Sequence, residues 1–232
     1  MAKIKTAAII PAAGSGKRLN GKKKKQYLEI QDKPLLFYTL DIFQKSNDID
    51  EIVVVAPISD LNHTKKNIID KYGFSKVICV VEGGRERQDS VKNGFDNLTA
   101  DTEIVVIHDA ARPLINVSLI KKVVKSAVDN GSVITALQIT DTLKMAVDGI
   151  VKNTFPRENF WRSQTPQAFK YNILNECYDR KLNEEAIFTD EAQMVEYAGF
   201  EVSIVEGWEY NIKITTNDDF KLAGFLLKEF NV

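Results

Sequence analysis

Short runs of consecutive apolar residues, each ending in small or glycine-bearing turns, recur along the first 140 positions. Residues 6 to 11, Ile52 to Ala56, Val77 to Val81, Ile104 to His108 and Val133 to Leu137 are rich in β-branched side chains and lack polar alternation. That is the pattern of strands covered on both faces. Between them the apolar positions change to helical spacing. Leu35, Tyr38 and Ile42 follow Pro34, which suits a first helical turn, and residues 59–72 and 117–130 form further helical segments. The order β-α-β-α-β predicts an α/β fold, a mostly parallel sheet with helices on both faces. Ligands of such sheets bind beyond the carboxyl ends of the strands, so chemistry is expected in the turns that follow them.

Composition narrows the class. With 232 residues, 44% of them hydrophobic, the chain can bury a sizeable core as one large domain or one domain with an appendage. Its 31 basic residues against 32 acidic ones leave no global field that would favour nucleic acid or an anionic membrane. No apolar run approaches a membrane span, and the start lacks the basic-then-apolar layout of a signal peptide. Cys79 lies in an apolar run and Cys177 in a helical stretch, which suits two buried thiols and a reducing cytoplasm.

Three strand ends carry candidate chemistry. After the first strand comes Pro11-Ala-Ala-Gly-Ser-Gly-Lys-Arg18, where small residues let backbone N–H groups approach a ligand and two cations follow. It is not a P-loop, since Pro11 and Arg18 replace the required Gly and Ser or Thr, nor a dinucleotide fingerprint, since Leu19 replaces the third Gly. A plain strand-to-helix turn remains open at this point, although Lys17, Arg18 and Lys25 favour phosphate. After the third run, Gly83 and Gly84 can bring backbone groups to the edge of a base, and Ser90 opens the next helix, as a ligand contact or a cap. After the fourth comes His108-Asp-Ala-Ala-Arg-Pro113. Asp109 there can hold Mg²⁺ against a substrate phosphate, because magnesium takes one or two carboxylates beside phosphates and water. Alternatively Asp109 is a helix N-cap and Arg112 its surface partner. His108 reads as a packed, hydrogen-bonded ring, because no second His, Cys or paired carboxylate stands at metal spacing.

Other segments read structurally. Asp148-Gly149 between Thr142 to Val147 and Ile150 to Thr154 signals a two-residue hairpin. A lone ribbon is marginal in water, so this one packs either on another subunit or back on its own sheet. Lys22 to Lys24 read as solvated. Lys213 lies between Ile212 and Ile214 as in a strand, and Thr189-Asp-Glu and Thr216 to Asp219 read as helix starts.

Taken in order, the segments from Pro11 to Arg18, Lys25-Gln-Tyr27, Gly83-Gly84 to Ser90-Val91, His108 to Pro113, Asp141-Thr-Leu-Lys144, Gln164-Thr-Pro-Gln167, Thr189-Asp-Glu-Ala192 and Asn211-Ile-Lys-Ile-Thr215 resemble the 2-C-methyl-D-erythritol 4-phosphate cytidylyltransferases. The likeness spans residue 7 to about 226. It implies a Rossmann-like nucleotidyltransferase fold over 1–232, with a dimerisation arm at about 138–158 and active sites shared between the subunits of a homodimer. It implies cytidylyl transfer from CTP to methylerythritol phosphate, with release of pyrophosphate, in the route to isoprenoid precursors. By the resemblance, Pro11, Ala12, Ala13 and Gly14 wrap the triphosphate, and Gly84, Arg85, Ser90 and Ala110 lie along the nucleotide. Arg18 and Lys25 stabilise the α-phosphate, and the resemblance makes these two and Lys213 the catalytic residues. Asp109 ligates Mg²⁺, while Arg112, Thr142, Arg157, Thr165 and Lys213 join Asp109 in holding the methylerythritol phosphate. Some relatives carry an acid where Arg85 stands, so a backbone contact is expected there. Ribitol 5-phosphate cytidylyltransferases match less well at Ala12-Ala13, Ala110-Ala111 and Glu191-Ala192. A catalytically silent nucleotide-binding module would not need Lys25, Asp109 and Lys213 together.

Overall fold

Each apolar run forms a strand of one seven-stranded sheet. The computed structural model describes residues 3–14, 24–180, 182 and 186–230. The strands are β1 (Thr6–Pro11), β2 (Glu29–Ile30), β3 (Lys33–Pro34), β4 (Glu51–Ala56), β5 (Val77–Glu82), β6 (Ile104–Ile107), β7 (Ser132–Gln138), β8 (Leu143–Val147), β9 (Ile150–Phe155), β10 (Trp161–Lys170) and β11 (Ser203–Glu206). The helices are α1 (Leu35–Lys45), α2 (Leu61–Thr64), α3 (Arg87–Phe95), α4 (Val117–Asn130), α5 (Tyr171–Asp179), α6 (Glu191–Tyr197) and α7 (Asn217–Glu229). The sheet runs β11-β7-β10-β6-β1-β4-β5. Only β10 is antiparallel to its neighbours, β6 and β7.

Successive side chains of a strand point to opposite faces, and the core divides accordingly. Ile10, Val54 and Val106 enter one apolar cluster with Leu36 of α1, Leu119 of α4 and Leu227 of α7. Ile9, Val55 and Val105 enter the other with Val91 of α3, Leu174 of α5 and Val195 of α6. The chain moves from β1 outward to β4 and β5, then returns to place β6 on the other side of β1. This reversal opens a crevice at the carboxyl ends of β1 and β6, where doubly wound sheets bind ligands.

Several elements differ from expectation. The segment 59–72 is a short 3₁₀ turn (Ile58–Asp60), the single turn α2 and a π-helical turn (Lys65–Asp70). Residues 211–215 form neither strand nor helix, so Lys213 lies on a loop. Helix α3 begins at Arg87, and a capping box between Glu86 and Asp89 closes its start; Ser90 lies within the first turn. Lys24 is not simply solvated, since it pairs with Asp60 at 2.8 Å. Cys177 is buried but Cys79 only half-buried. Strand β10 was hidden because polar Gln164, Thr165 and Gln167 occupy buried positions in its centre.

The hairpin forms as read. Asp148 and Gly149 both have positive φ (50° and 76°), the backbone of a tight turn between β8 and β9. Among the described residues these strands pair only with each other and do not extend the main sheet. Met145, Val147, Ile150 and Val151 are exposed along them, which excludes the hairpin folded back on its own sheet.

Candidate active site

Backbone hydrogen bonds carry the strand order into the loops. Ala12 N–H donates to Val55 O (2.7 Å), Gly83 N–H to Ala56 O (2.9 Å) and His108 N–H to Ile9 O (3.0 Å), so the three turns after β1, β5 and β6 converge. They pack tightly: a Cβ at Gly83 would stand 2.3 Å from Ala13 Cβ, so only glycine allows the second turn to touch the first. Ser90 neither caps the helix nor stands free. Its hydroxyl accepts from Gly84 N–H (3.0 Å) and donates to Glu86 O (3.1 Å), which fixes the glycine turn from inside α3.

The loops enclose a cleft of about 410 Å³. Pro11, Ala12, Ala13, Gly14, Gly84, Arg85, Ser90, Asp109 and Ala110 line it together with Lys25 and Lys213, so residues spread over two hundred positions come together. Lys25 Nζ donates to Ile214 O at 3.2 Å, which ties the lysine after the first loop to the segment bearing Lys213. Arg18 lies outside the described residues. Thr142 and Arg157 are exposed at the hairpin and its base, away from this cleft, and Arg157 donates to Thr140 O.

Asp109 is the electrostatic centre. It is not an N-cap, a place taken by Asn116 at α4, and Arg112 is not a surface residue; both are buried in the loop after β6. Lys213 Nζ lies 2.8 Å from Asp109 Oδ2, Arg112 Nε 3.6 Å from the same oxygen and Arg87 Nε 3.5 Å from Oδ1. Burial alone would raise the carboxyl's pKa, but Arg87, Lys213 and Arg112 together hold it well below the usual carboxylate range. Asp109 is therefore ionised at every working pH. Arg112 also donates to Asn211 O (2.7 Å), so one side chain bridges the loop after β6 and the segment before α7.

His108 and Thr165 form the scaffold beneath. Asp109 N–H donates to Thr165 Oγ1 (3.1 Å), the hydroxyl faces His108 Nδ1 (3.1 Å), and Nε2 meets Arg112 O (3.1 Å). A neutral ring with its proton on Nε2 satisfies every partner. Burial lowers the His108 pKa from 6.5 to about 4. An unfolded histidine takes up a proton as pH falls through 6.5, whereas His108 in the fold does so near 4. Stability is therefore expected to fall by about 3 kcal/mol across that window. Urea unfolding at a series of pH values checks this, with His108→Gln expected to flatten the slope. An equally steep slope in the variant would refute it.

Sequence reasoning missed Gln26, Leu35, Glu86, Arg87 and Ala111, which also line the cleft. Gln26 is buried, and by geometry neither amide atom meets a hydrogen-bond partner among the described residues. Nothing local in the sequence marks it apart from its place beside Lys25. Arg87 had a signal, an arginine at the start of a helix after a glycine turn, but its pairing with Glu191 at 2.7 and 2.8 Å spans about a hundred residues. As for metal, no three His, Cys, Asp or Glu side chains gather among the described residues. The ionised carboxylate of Asp109 fits Mg²⁺ if phosphates and water supply the other ligands, which is magnesium's usual habit.

The profile of the family "IspD: 2-C-methyl-D-erythritol 4-phosphate cytidylyltransferase" matches residues 6–229. The 2-C-methyl-D-erythritol 4-phosphate cytidylyltransferase of Alkaliphilus oremlandii is 40% identical over 225 residues, covering 97% of this chain and 95% of the relative. That of Geotalea uraniireducens is 40% identical over 230 residues, covering 98% and 99%. The crystal structure of the 4-diphosphocytidyl-2C-methyl-D-erythritol synthase of Anaerococcus prevotii superposes with a TM-score of 0.85 at 33% identity, covering 97% of this chain and 99% of that one.

Proposed function

Because this chain belongs to the 2-C-methyl-D-erythritol 4-phosphate cytidylyltransferase family, we propose that the cleft at the ends of β1, β5 and β6 is where it transfers a cytidylyl group from CTP to 2-C-methyl-D-erythritol 4-phosphate. The family match favours this acceptor over ribitol 5-phosphate. The observation that carries the reading is the meeting of Lys25, Lys213 and Asp109 with the small-residue loop Pro11 to Gly14 in one cleft.

The phosphate oxygen of the methylerythritol phosphate attacks the α-phosphorus of CTP. A new P–O bond forms, the bond to the bridging oxygen breaks, and pyrophosphate leaves with its electron pair. Such chemistry needs two polyanions held in line and their charge offset, more than a covalent nucleophile. The backbone at Ala12, Ala13 and Gly14 lies along the triphosphate, and the turn at Gly84 and Arg85 borders the nucleoside. Lys25 and Arg18 offset charge moving from the α-phosphate to pyrophosphate, while Lys213 and Arg112 orient the acceptor's phosphate. Thr165 acts beneath them, since its hydroxyl is already engaged with Asp109 and His108. Mg²⁺, held by Asp109 and the phosphates, would supply further charge neutralisation.

The active assembly is a homodimer in which Thr142 and Arg157 serve the partner's cleft. The exposed Met145, Val147, Ile150 and Val151 on a ribbon whose strands pair with each other support this, as does an Arg157 that does not line its own cleft. The protein acts in the cytoplasm, a reading supported by its free cysteines; among the described residues no helix is long and apolar enough to cross a membrane.

Pyrophosphate release from CTP with a panel of polyol phosphates tests the assignment, with methylerythritol 4-phosphate expected to give the highest kcat/KM. Within that assay, Lys25→Ala is expected to lower kcat at least tenfold while KM for CTP moves less. That pattern marks an interaction stronger in the transition state than in the ground state. An intact kcat with a raised KM would reduce Lys25 to a nucleotide tether.

A further inference from the structure

Glu191 lies outside the cleft lining, at the first position of α6, yet it is 1% exposed and its two carboxylate oxygens each accept a hydrogen bond from one arginine. Arg87 Nη1 donates to both carboxylate oxygens, and Arg87 Nε turns towards Asp109 Oδ1 at 3.5 Å. A row of charges therefore runs from the start of α6 through α3 into the cleft. Burying the Glu191 carboxylate against a partly exposed arginine is costly, and a pair that merely fastened α6 to α3 could be replaced by neutral bonds. The start of α6 and the segment before it are already held by other bonds, from Gln88 of α3 and from Gln167 of β10. Gln88 Nε2 donates to Ala186 O (3.0 Å) and its Oε1 accepts from Phe188 N–H (2.8 Å). Gln167 holds Asp190 (2.7 Å) and Ala192 N–H (3.3 Å).

What the ion pair adds is a fixed guanidinium beside Asp109. We infer that Arg87 and Glu191 are positioning residues for the transfer reaction: Glu191 anchors Arg87, and Arg87 sets the direction in which the Asp109 carboxylate faces the cleft. Two anions, Asp109 and Glu191, stand against three cations, Arg87, Arg112 and Lys213. Without Glu191, Arg87 turns fully onto Asp109 and competes with Lys213 and the ligand for its oxygens.

The inference rests on the cleft being the transfer site, which wild-type turnover tests separately. Glu191→Gln keeps the shape and removes the anion. It is expected to leave the dissociation constant for CTP, measured by calorimetry, within about twofold of wild type. It should lower kcat by about 10- to 100-fold, the cost of a small misplacement near the reacting groups. The paired variant Arg87→Met with Glu191→Met removes both charges, so it keeps the fold even if the single variant does not. Its melting temperature is expected to stay near that of wild type while kcat remains as low as in Glu191→Gln. A paired variant with wild-type kcat would overturn the inference and leave the ion pair a fastener only. So would a Glu191→Gln variant whose loss is confined to melting temperature.

Discussion

Replacing Asp109 by Asn is expected to lower turnover about 1,000-fold or more, on the scale of losing a principal electrostatic group in a preorganised site. The substitution is nearly isosteric, and the Asp109 N–H bond to Thr165 Oγ1 does not depend on the side chain. Fold stability falls too, because Arg112 and Lys213 then face an uncharged amide, but Lys213 is partly exposed and can turn to water. The loss of stability should therefore stay within about 1–3 kcal/mol. Chemical unfolding and pyrophosphate release on the same preparation separate the two effects. If Asp109 also holds Mg²⁺ on the triphosphate, EDTA silences the wild type and added Mg²⁺ restores it. Full turnover in EDTA would remove the metal from the proposal, and an active Asn variant would remove Asp109 from the chemistry.

The second large effect concerns the hairpin. If Arg157 serves the partner's cleft while Lys25 serves its own, Lys25→Ala and Arg157→Ala homodimers are each nearly inactive. A mixed dimer places both defects in one site and leaves the other intact. Random reassortment of equal amounts makes about half the dimers mixed, each with one good site, so about a quarter of wild-type activity should return. Reversible dissociation, mixing and confirmation of subunit exchange by mass provide the measurement. No recovery after confirmed exchange would show that both residues act in one chain, and the exposed ribbon would then need another partner.

How much of this was legible follows from how each signal arises. Strands buried on both faces must be apolar throughout, so β1, β4, β6 and β7 stand out; the edge strand β5 is only half-buried, although its β-branched run also reads as a strand, and α4 is legible at 117–130 as the structure has it. The loop residues Pro11 to Gly14, Gly84 and Asp109 were legible because close backbone approach needs small side chains, and their order matches a known family. Strand β10 escaped because its centre carries Gln164, Thr165 and Gln167, whose partners come from other segments. A polar strand core is silent in a hydrophobic pattern.

Taken alone, then, the chain's periodicity determined an α/β sheet with its ligands at the strand ends, and its motifs determined a family and most of a cleft. Tertiary structure alone decided the charge pattern. Asp109 reads as a helix cap or a metal ligand until Arg87, Arg112 and Lys213 surround it, and Glu191 reads as a helix-start acid until Arg87 reaches it from α3. Electrostatic energy depends on distance and burial, and neither is written in sequence spacing when the partners lie about a hundred residues apart.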